Sequence, residues 1–383
     1  MHLYDFVSYC GMLTDKARLD AYTGSLRDSV GPDTIVLDLG AGTGVFSVIA
    51  CLLGARKVYA VEVNPLIRLV EETAKEKGFA DRLVVIQKHS SEIELSEKAN
   101  LLVSDIHGGL PLHESGLESI IDARNRLLTR DAVMLPEAET VFFALSEAEE
   151  IYEKHVSVFL REYEGFSLPA ADRLVKNRWF SARSDKERLL TGTAIFAEID
   201  HRVNSDTSFA SDLRWEVEKS GTAHGFRAWF ESRLPGGHSV SNGISANTST
   251  YASPFFPLSF PVAVKEGDVV NARINAVYED GGYLWSWQTK IEDPAGLVKA
   301  ETAQSVIASM IPDSKSALRR SEFFAPALGR QGEIDAFVLS RMDGENLSGD
   351  IADEILERFP GEFPTAEKAA ERVYALVERY CRG

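Results

Sequence analysis

The segment Val36-Leu-Asp-Leu-Gly-Ala-Gly-Thr-Gly44 constrains this chain more than any other. A short apolar run, Ile35–Leu39, ends in three glycines at alternate positions, and a helix-forming stretch follows. Gly40, Gly42 and Gly44 let the backbone turn sharply and approach a ligand closely. Glu62 closes the next apolar run, residues 58–62, where an acid can accept hydrogen bonds from both hydroxyls of a ribose. Two more runs, Leu83–Ile86 and residues 101–105, follow a helical stretch at 66–77. Strands alternating with helices imply right-handed crossovers and a parallel sheet, with the ligand outside the carboxyl ends of the strands.

A chain of 383 residues favours two or three domains. From about residue 146 to 310 the pattern changes. Strand-like runs at 191–200, 226–234, 262–264, 269–278 and 283–291 are punctuated by Gly-Gly, Asn-Gly and Pro turns, which predicts antiparallel β, as in a barrel. Trp285 and Trp287 alternate along one strand and are expected in its core. From 311 to 383, residues 351–359 and 366–380 are amphipathic at helical spacing. No long apolar run suggests a membrane span, and the first residues lack a secretory pattern. Cys10, Cys51 and Cys381 have neither disulfide nor metal spacing, which fits a reducing cytoplasm and offers zinc no ligand set. The net charge of −17 argues against nucleic acid and would attract a basic partner, although solubility alone is the more ordinary explanation.

The run Asp38-Leu-Gly-Ala-Gly-Thr-Gly44 resembles the first motif of class I methyltransferases. NAD is the competing ligand, but Asp38 would repel a pyrophosphate and suits the cationic end of S-adenosylmethionine. From Tyr4 to about residue 300 the chain resembles the protein arginine methyltransferases. The stretches that carry this are Met12-Leu-Thr-Asp-Lys-Ala-Arg18 with Tyr22, the glycine motif with Glu62, Glu92-Ile-Glu-Leu95, and Val103-Ser-Asp-Ile-His-Gly-Gly-Leu-Pro-Leu-His-Glu-Ser115. Tyr163-Glu-Gly-Phe-Ser167 resembles the start of the family's dimerisation arm, near 166–185. The resemblance implies an S-adenosylmethionine-dependent enzyme and a homodimer. In it Met12 borders the active site, Arg18 holds the cofactor carboxylate, and Glu92 lies near the adenine. Asp105 and Glu114 orient the guanidinium of the acceptor.

Asp105 stands where the family carries a glutamate. One methylene less displaces the clamp by roughly 1.5 Å, the length of a C–C bond. His107 replaces a residue such as Met; its ring is either a general base or a structural loop histidine. The family's Thr-His-Trp motif falls near Ser249-Thr250-Tyr251 without its His and Trp. Residues 334–344 and the two helices after them resemble small PqqD-like domains, which bind leader peptides. The expected architecture is therefore α/β in three parts. A Rossmann-like methyltransferase domain spans 1–145, a β-barrel substrate domain 146–310, and a winged-helix-like α+β peptide-binding domain 311–383. Methylation of a peptide or protein at arginine nitrogen is the leading expectation. A small-molecule methyltransferase, or a non-catalytic peptide-binding protein on the same scaffold, is the alternative.

Overall fold

In the computed structural model, which describes residues 6–244, 251–310 and 325–381, strand β1 (Ile35–Leu39) is buried along its whole length. A strand covered on both faces reads as a continuous apolar run, and this one forms the centre of a parallel sheet. Its order is β3 (Leu83–Ile86), β2 (Lys57–Val61), β1, β4 (Ala99–Ser104), β5 (Leu128–Leu135). Side chains alternate between two cores. Val36, Val58 and Val103 face one, while Leu37, Tyr59 and Leu102 face the other. Helices α1 (Phe6–Thr14), α2 (Lys16–Ser29), α3 (Val45–Leu52), α4 (Arg68–Lys77) and α5 (Gly116–Arg126) accompany the sheet. The strand order reverses between β1 and β4, and there the carboxyl ends open a crevice.

The antiparallel part begins earlier than residue 146. Strand β6 (Ala138–Glu147) runs through that boundary, because Val141, Phe143 and Leu145 all point into the same core. It belongs to a seven-stranded sheet with β7 (Phe180–Ser181), β8 (Arg188–Leu189), β9 (Ala194–Asp200), β11 (Gly221–Leu234), β12 (His238–Ser241) and β13 (Pro254–Val264). A four-stranded sheet joins β10 (Phe209–Glu216), β14 (Val269–Glu279), β15 (Gly282–Glu292) and β16 (Val298–Ser305). The expected barrel is thus two antiparallel sheets sharing one core. Phe143, Phe196, Phe256, Trp285 and Trp287 meet in that core with ring centroids 5.2–6.3 Å apart. Trp287 Nε1 donates to Pro257 O at 3.0 Å, so its polar edge is satisfied. Between β6 and β7 lie α6 (Glu149–His155) and α7 (Pro169–Lys176), with Tyr163, Phe166 and Leu168 exposed.

Residues 1–310 form one compact unit and 311–383 a second. The α+β expectation for the second is corrected among its described residues, which form helices Arg330–Arg341, Ser348–Arg358 and Ala366–Tyr380 and no strand. Ile334 and Val338 recur at helical spacing and pack with Ile351, Ile355, Ala369 and Val373. No described helix is long and apolar enough to cross a membrane.

Candidate active site

The glycine turn is built by necessity. Gly40 has φ 74°, and a Cβ there would lie 2.0 Å from Ile106 Cγ2. Gly44 caps α3 in the left-handed conformation, φ 73°, with Val70 Cγ2 2.4 Å from where a Cβ would sit. Only glycine meets both demands. The turn lets Gly42 N donate to Glu62 Oε2 at 3.0 Å, while Val63 N and Asn64 N donate to Oε1 at 2.7 and 2.8 Å. Three amides therefore fix the Glu62 carboxylate at the end of β2. It faces a cleft of about 790 Å³ whose floor includes Met12, Gly40, Asp105, His107 and Glu114. The segments leading into β7 and β13 supply Trp179 and Tyr251 to the same cleft.

Several expected residues lie elsewhere. Gly42 and Gly44 shape the turn without lining the cleft. Asp38 is buried and accepts from Ser47 Oγ at 2.6 Å, so it points into α3. Burial pushes its carboxyl up to about 7, against the Ser47 hydrogen bonds. Glu92 is exposed, and its neighbours His89 and Ser90 line the cleft instead.

Arg18, the expected partner of a cofactor carboxylate, is buried and holds Asp105. Its Nε also donates to Tyr251 Oη at 3.1 Å and its Nη1 to Met12 O at 3.1 Å. Burial opposes its charge, yet Asp105 beside it raises its pKa. Tyr251 donates its hydroxyl to Asp105 Oδ1. Burial, then Asp105, push the phenols of Tyr22 and Tyr251 far up, so both remain neutral donors. Asp105 is thus a buried, compensated carboxylate. Glu114, at φ 41°, is the half-buried carboxylate that lines the cleft. Burial holds the adjoining His113 imidazole down in pKa.

Behind Asp105, His107 meets a set of residues that sequence reasoning missed, Glu139, His201 and Ser232. His107 packs against Phe230 and Tyr251, with ring centroids 4.5 and 5.0 Å away. Its Nε2 lies 3.3 Å from Glu139 Oε1 and 3.6 Å from Asp105 Oδ1. Glu139 Oε2 is 2.8 Å from His201 Nε2, and Ser232 Oγ donates to Oε1 at 2.7 Å. Burial pushes the Glu139 carboxyl up, but His107, His201 and Ser232 outweigh it and hold it at about 2. One signal for Glu139 was available. It occupies the inward parity of β6, shared with Val141 and Phe143, where a charged side chain is out of place unless paired.

Residues 19–110 match a family model described as ribosomal protein L11 methyltransferase (PrmA). Over 279 residues the chain is 31% identical to protein arginine N-methyltransferase 2 of Mus musculus, covering 68% of this chain and 62% of that protein. It is 25% identical to protein arginine N-methyltransferase 1 of Schizosaccharomyces pombe, covering 74% and 86%. The first of these relatives extends well beyond the match, since the chain spans only 62% of its length. Among solved structures, the Trypanosoma brucei PRMT1 enzyme–prozyme heterotetrameric complex with AdoHcy superposes with TM-score 0.72 at 21% identity, over 79% of this chain and 98% of that one. The fold is that of the protein arginine methyltransferases.

Within the arginine methyltransferase fold, one feature of this chain departs from the expected pattern. Of the Thr-His-Trp region, Ser249 and Thr250 lie outside the described residues, and Tyr251 replaces an aromatic wall with a hydroxyl aimed at Asp105. Arg183, from the end of the region expected to form the arm, donates to Tyr251 O and holds that loop from the other side.

Proposed function

We propose that this protein transfers a methyl group from S-adenosylmethionine to a peptide or protein, at an arginine nitrogen. The observation that carries the reading is the Glu62 carboxylate, fixed by three amides at the turn of residues 40–44 and facing a cleft that continues to Glu114. This donor set fits the cofactor: Glu62 accepts from a ribose diol, and Met12 and Gly40 border it. When bound, S-adenosylmethionine supplies an electrophilic methyl on a sulfonium. Glu114 and Asp105 orient the guanidinium, which is always charged near neutrality and so needs carboxylates to fix its plane. His107, next to Asp105, is the base. The net charge of −17 favours a basic substrate.

The arm around residues 166–185, with Tyr163 and Phe166 exposed, supports a homodimer in this reading. The C-terminal unit, PqqD-like in this proposal, binds a leader peptide and raises the local concentration of acceptor. The described cysteines are free, in keeping with a cytoplasmic protein. One observation favours a small-molecule acceptor instead. Arg18 compensates Asp105, leaving Glu114 alone of the two carboxylates expected to clamp a guanidinium.

Labelled S-adenosylmethionine tests both readings, with the full chain and a chain ending at Met310 offered arginine peptides, free arginine and a metabolite pool. Peptide labelling that weakens on truncation supports peptide methylation guided by the second unit. Labelling of a small molecule alone, by both chains, overturns it.

A further inference from the structure

The Asn-Gly pair at 242–243 reads in the sequence as a turn, but its asparagine does more than bend the chain. Asn242 follows the end of β12 and is only 1% exposed. Both ends of its side-chain amide are engaged. Oδ1 accepts from Phe230 N of β11 at 2.8 Å, and Nδ2 donates to Gly109 O, on the loop after β4, at 2.7 Å. These partners settle the amide's orientation, because a backbone N–H only donates and a carbonyl only accepts. The backbone O of Asn242 in turn accepts from Ser253 Oγ, just before β13. One residue thus ties together three segments, the furthest of them 133 positions away in sequence.

The tie sits at the seam between the two walls of the cleft. Gly109 and Ala252 both line that cleft. A Cβ on Gly109 would lie 2.7 Å from Ala252 O and 3.0 Å from the Pro254 ring, so the loop and the segment before β13 meet with no room for a side chain. The loop carries Asp105, His107 and Glu114, and the segment carries Tyr251, whose hydroxyl donates to Asp105. Two arginines hold the segment to the antiparallel half. Arg183 donates to Tyr251 O, and Arg227, buried against Glu187, donates to Ser253 O. Asn242 holds it to the loop. Loss of a buried donor leaves its acceptor unsatisfied, so the seam depends strongly on this one amide.

We infer that Asn242 is a positioning residue for methyl transfer: it fixes the loop of residues 105–115, and with it Glu114, against the wall that carries Tyr251. The inference rests on the methyltransferase reading for its purpose and on these hydrogen bonds for its geometry. A shift of about 1 Å in a group that aligns the acceptor can cost around a hundredfold in rate. The cofactor side does not share the tie, because Glu62 takes its three amides from Gly42, Val63 and Asn64. Asn242 therefore acts on transfer and leaves cofactor affinity alone.

The test compares the full chain with its Asn242→Ala variant. Calorimetry with S-adenosylhomocysteine gives both the affinity and the number of competent sites, and turnover on an arginine peptide is counted per site. That count removes any contribution from unfolded protein. Affinity is expected to stay within about twofold, while kcat per site falls about tenfold to a hundredfold. Amide hydrogen exchange is expected to quicken about tenfold over residues 106–112 and 251–253, the order for losing a buried hydrogen bond, and to stay unchanged at Val63 and Asn64. Unchanged exchange over those two segments, unchanged turnover per site, or an affinity that falls in step with turnover would overturn the proposal. If Asn242→Ala does not fold, as judged by circular dichroism, Ser253→Ala severs the bond to Asn242 O and is read in the same way. A wild type that methylates no acceptor defeats the methyltransferase reading. The exchange rates still decide whether Asn242 ties the two walls.

Discussion

Asp38 and Glu139 are both buried carboxylates in this molecule, and their surroundings drive them in opposite directions. Burial dominates at Asp38, whose carboxyl rises to about 7, and partners dominate at Glu139, whose carboxyl falls to about 2. A raised acid adds stability that is complete below its unfolded value and is lost as pH climbs through the folded one. For Asp38 the loss therefore falls between about pH 4 and 7, and the rise corresponds to roughly 4 kcal/mol at most. Glu139 contributes above its ordinary value and loses that contribution as pH falls towards 2. Asp38→Asn is expected to gain on the wild type as pH rises from 4.5 to 8 in urea unfolding; parallel curves would sink this account. At Glu62 the expected change is in binding. Glu62→Ala should weaken S-adenosylhomocysteine affinity at least about tenfold, the order expected for losing one charge-assisted hydrogen-bond acceptor. Calorimetry showing equal affinity would remove Glu62 from the cofactor site.

At the scale of elements, the parallel half was legible because its chemistry is local. A glycine turn, an apolar run and an acid at the next strand end specify one another within about thirty residues, the length of a βαβ unit. The antiparallel half was less legible. Strand β6 hides between two domains in the sequence pattern, and β16 alternates too weakly to stand out, whereas β10 was missed although Phe209, Leu213 and Trp215 share its inward parity. The pairing of Arg18 with Asp105 could not be read, since 87 positions separate them and only the fold brings them into contact. Glu92 is exposed, beside His89 and Ser90 of the cleft. The tightness of the glycine turn gives a prediction at this scale. Gly44→Ala should destabilise by about 1–3 kcal/mol through left-handed strain and the Val70 contact. Combining it with Val70→Ala should recover only the contact part, so the two changes should add less than their sum. Strict additivity in urea unfolding would show that the clash plays no part.

For the whole molecule, the division at Met310 sets the expectation that the two units lose structure separately. A chain ending at Met310 should keep S-adenosylhomocysteine affinity within about twofold, because every residue assigned to the cleft precedes that point. A larger loss would make the second unit part of the cofactor site. The apolar arm provides a companion test. Phe166→Asp should shift any self-association towards monomer in sedimentation, since a charge replaces an exposed ring; an unchanged distribution would place the contact elsewhere.

The cleft has two builders. Loops of the parallel sheet make the side at Glu62, and the segments leading into β7 and β13 contribute Trp179 and Tyr251. The walls of the cleft thus reside in separate portions of the polypeptide, open to different histories of substitution. A lineage could retain the wall at Glu62 unchanged while reshaping the cleft, by altering a few positions on the second wall. Tyr251, which stands on that wall and reaches the acid at the centre, marks where such divergence would first be felt.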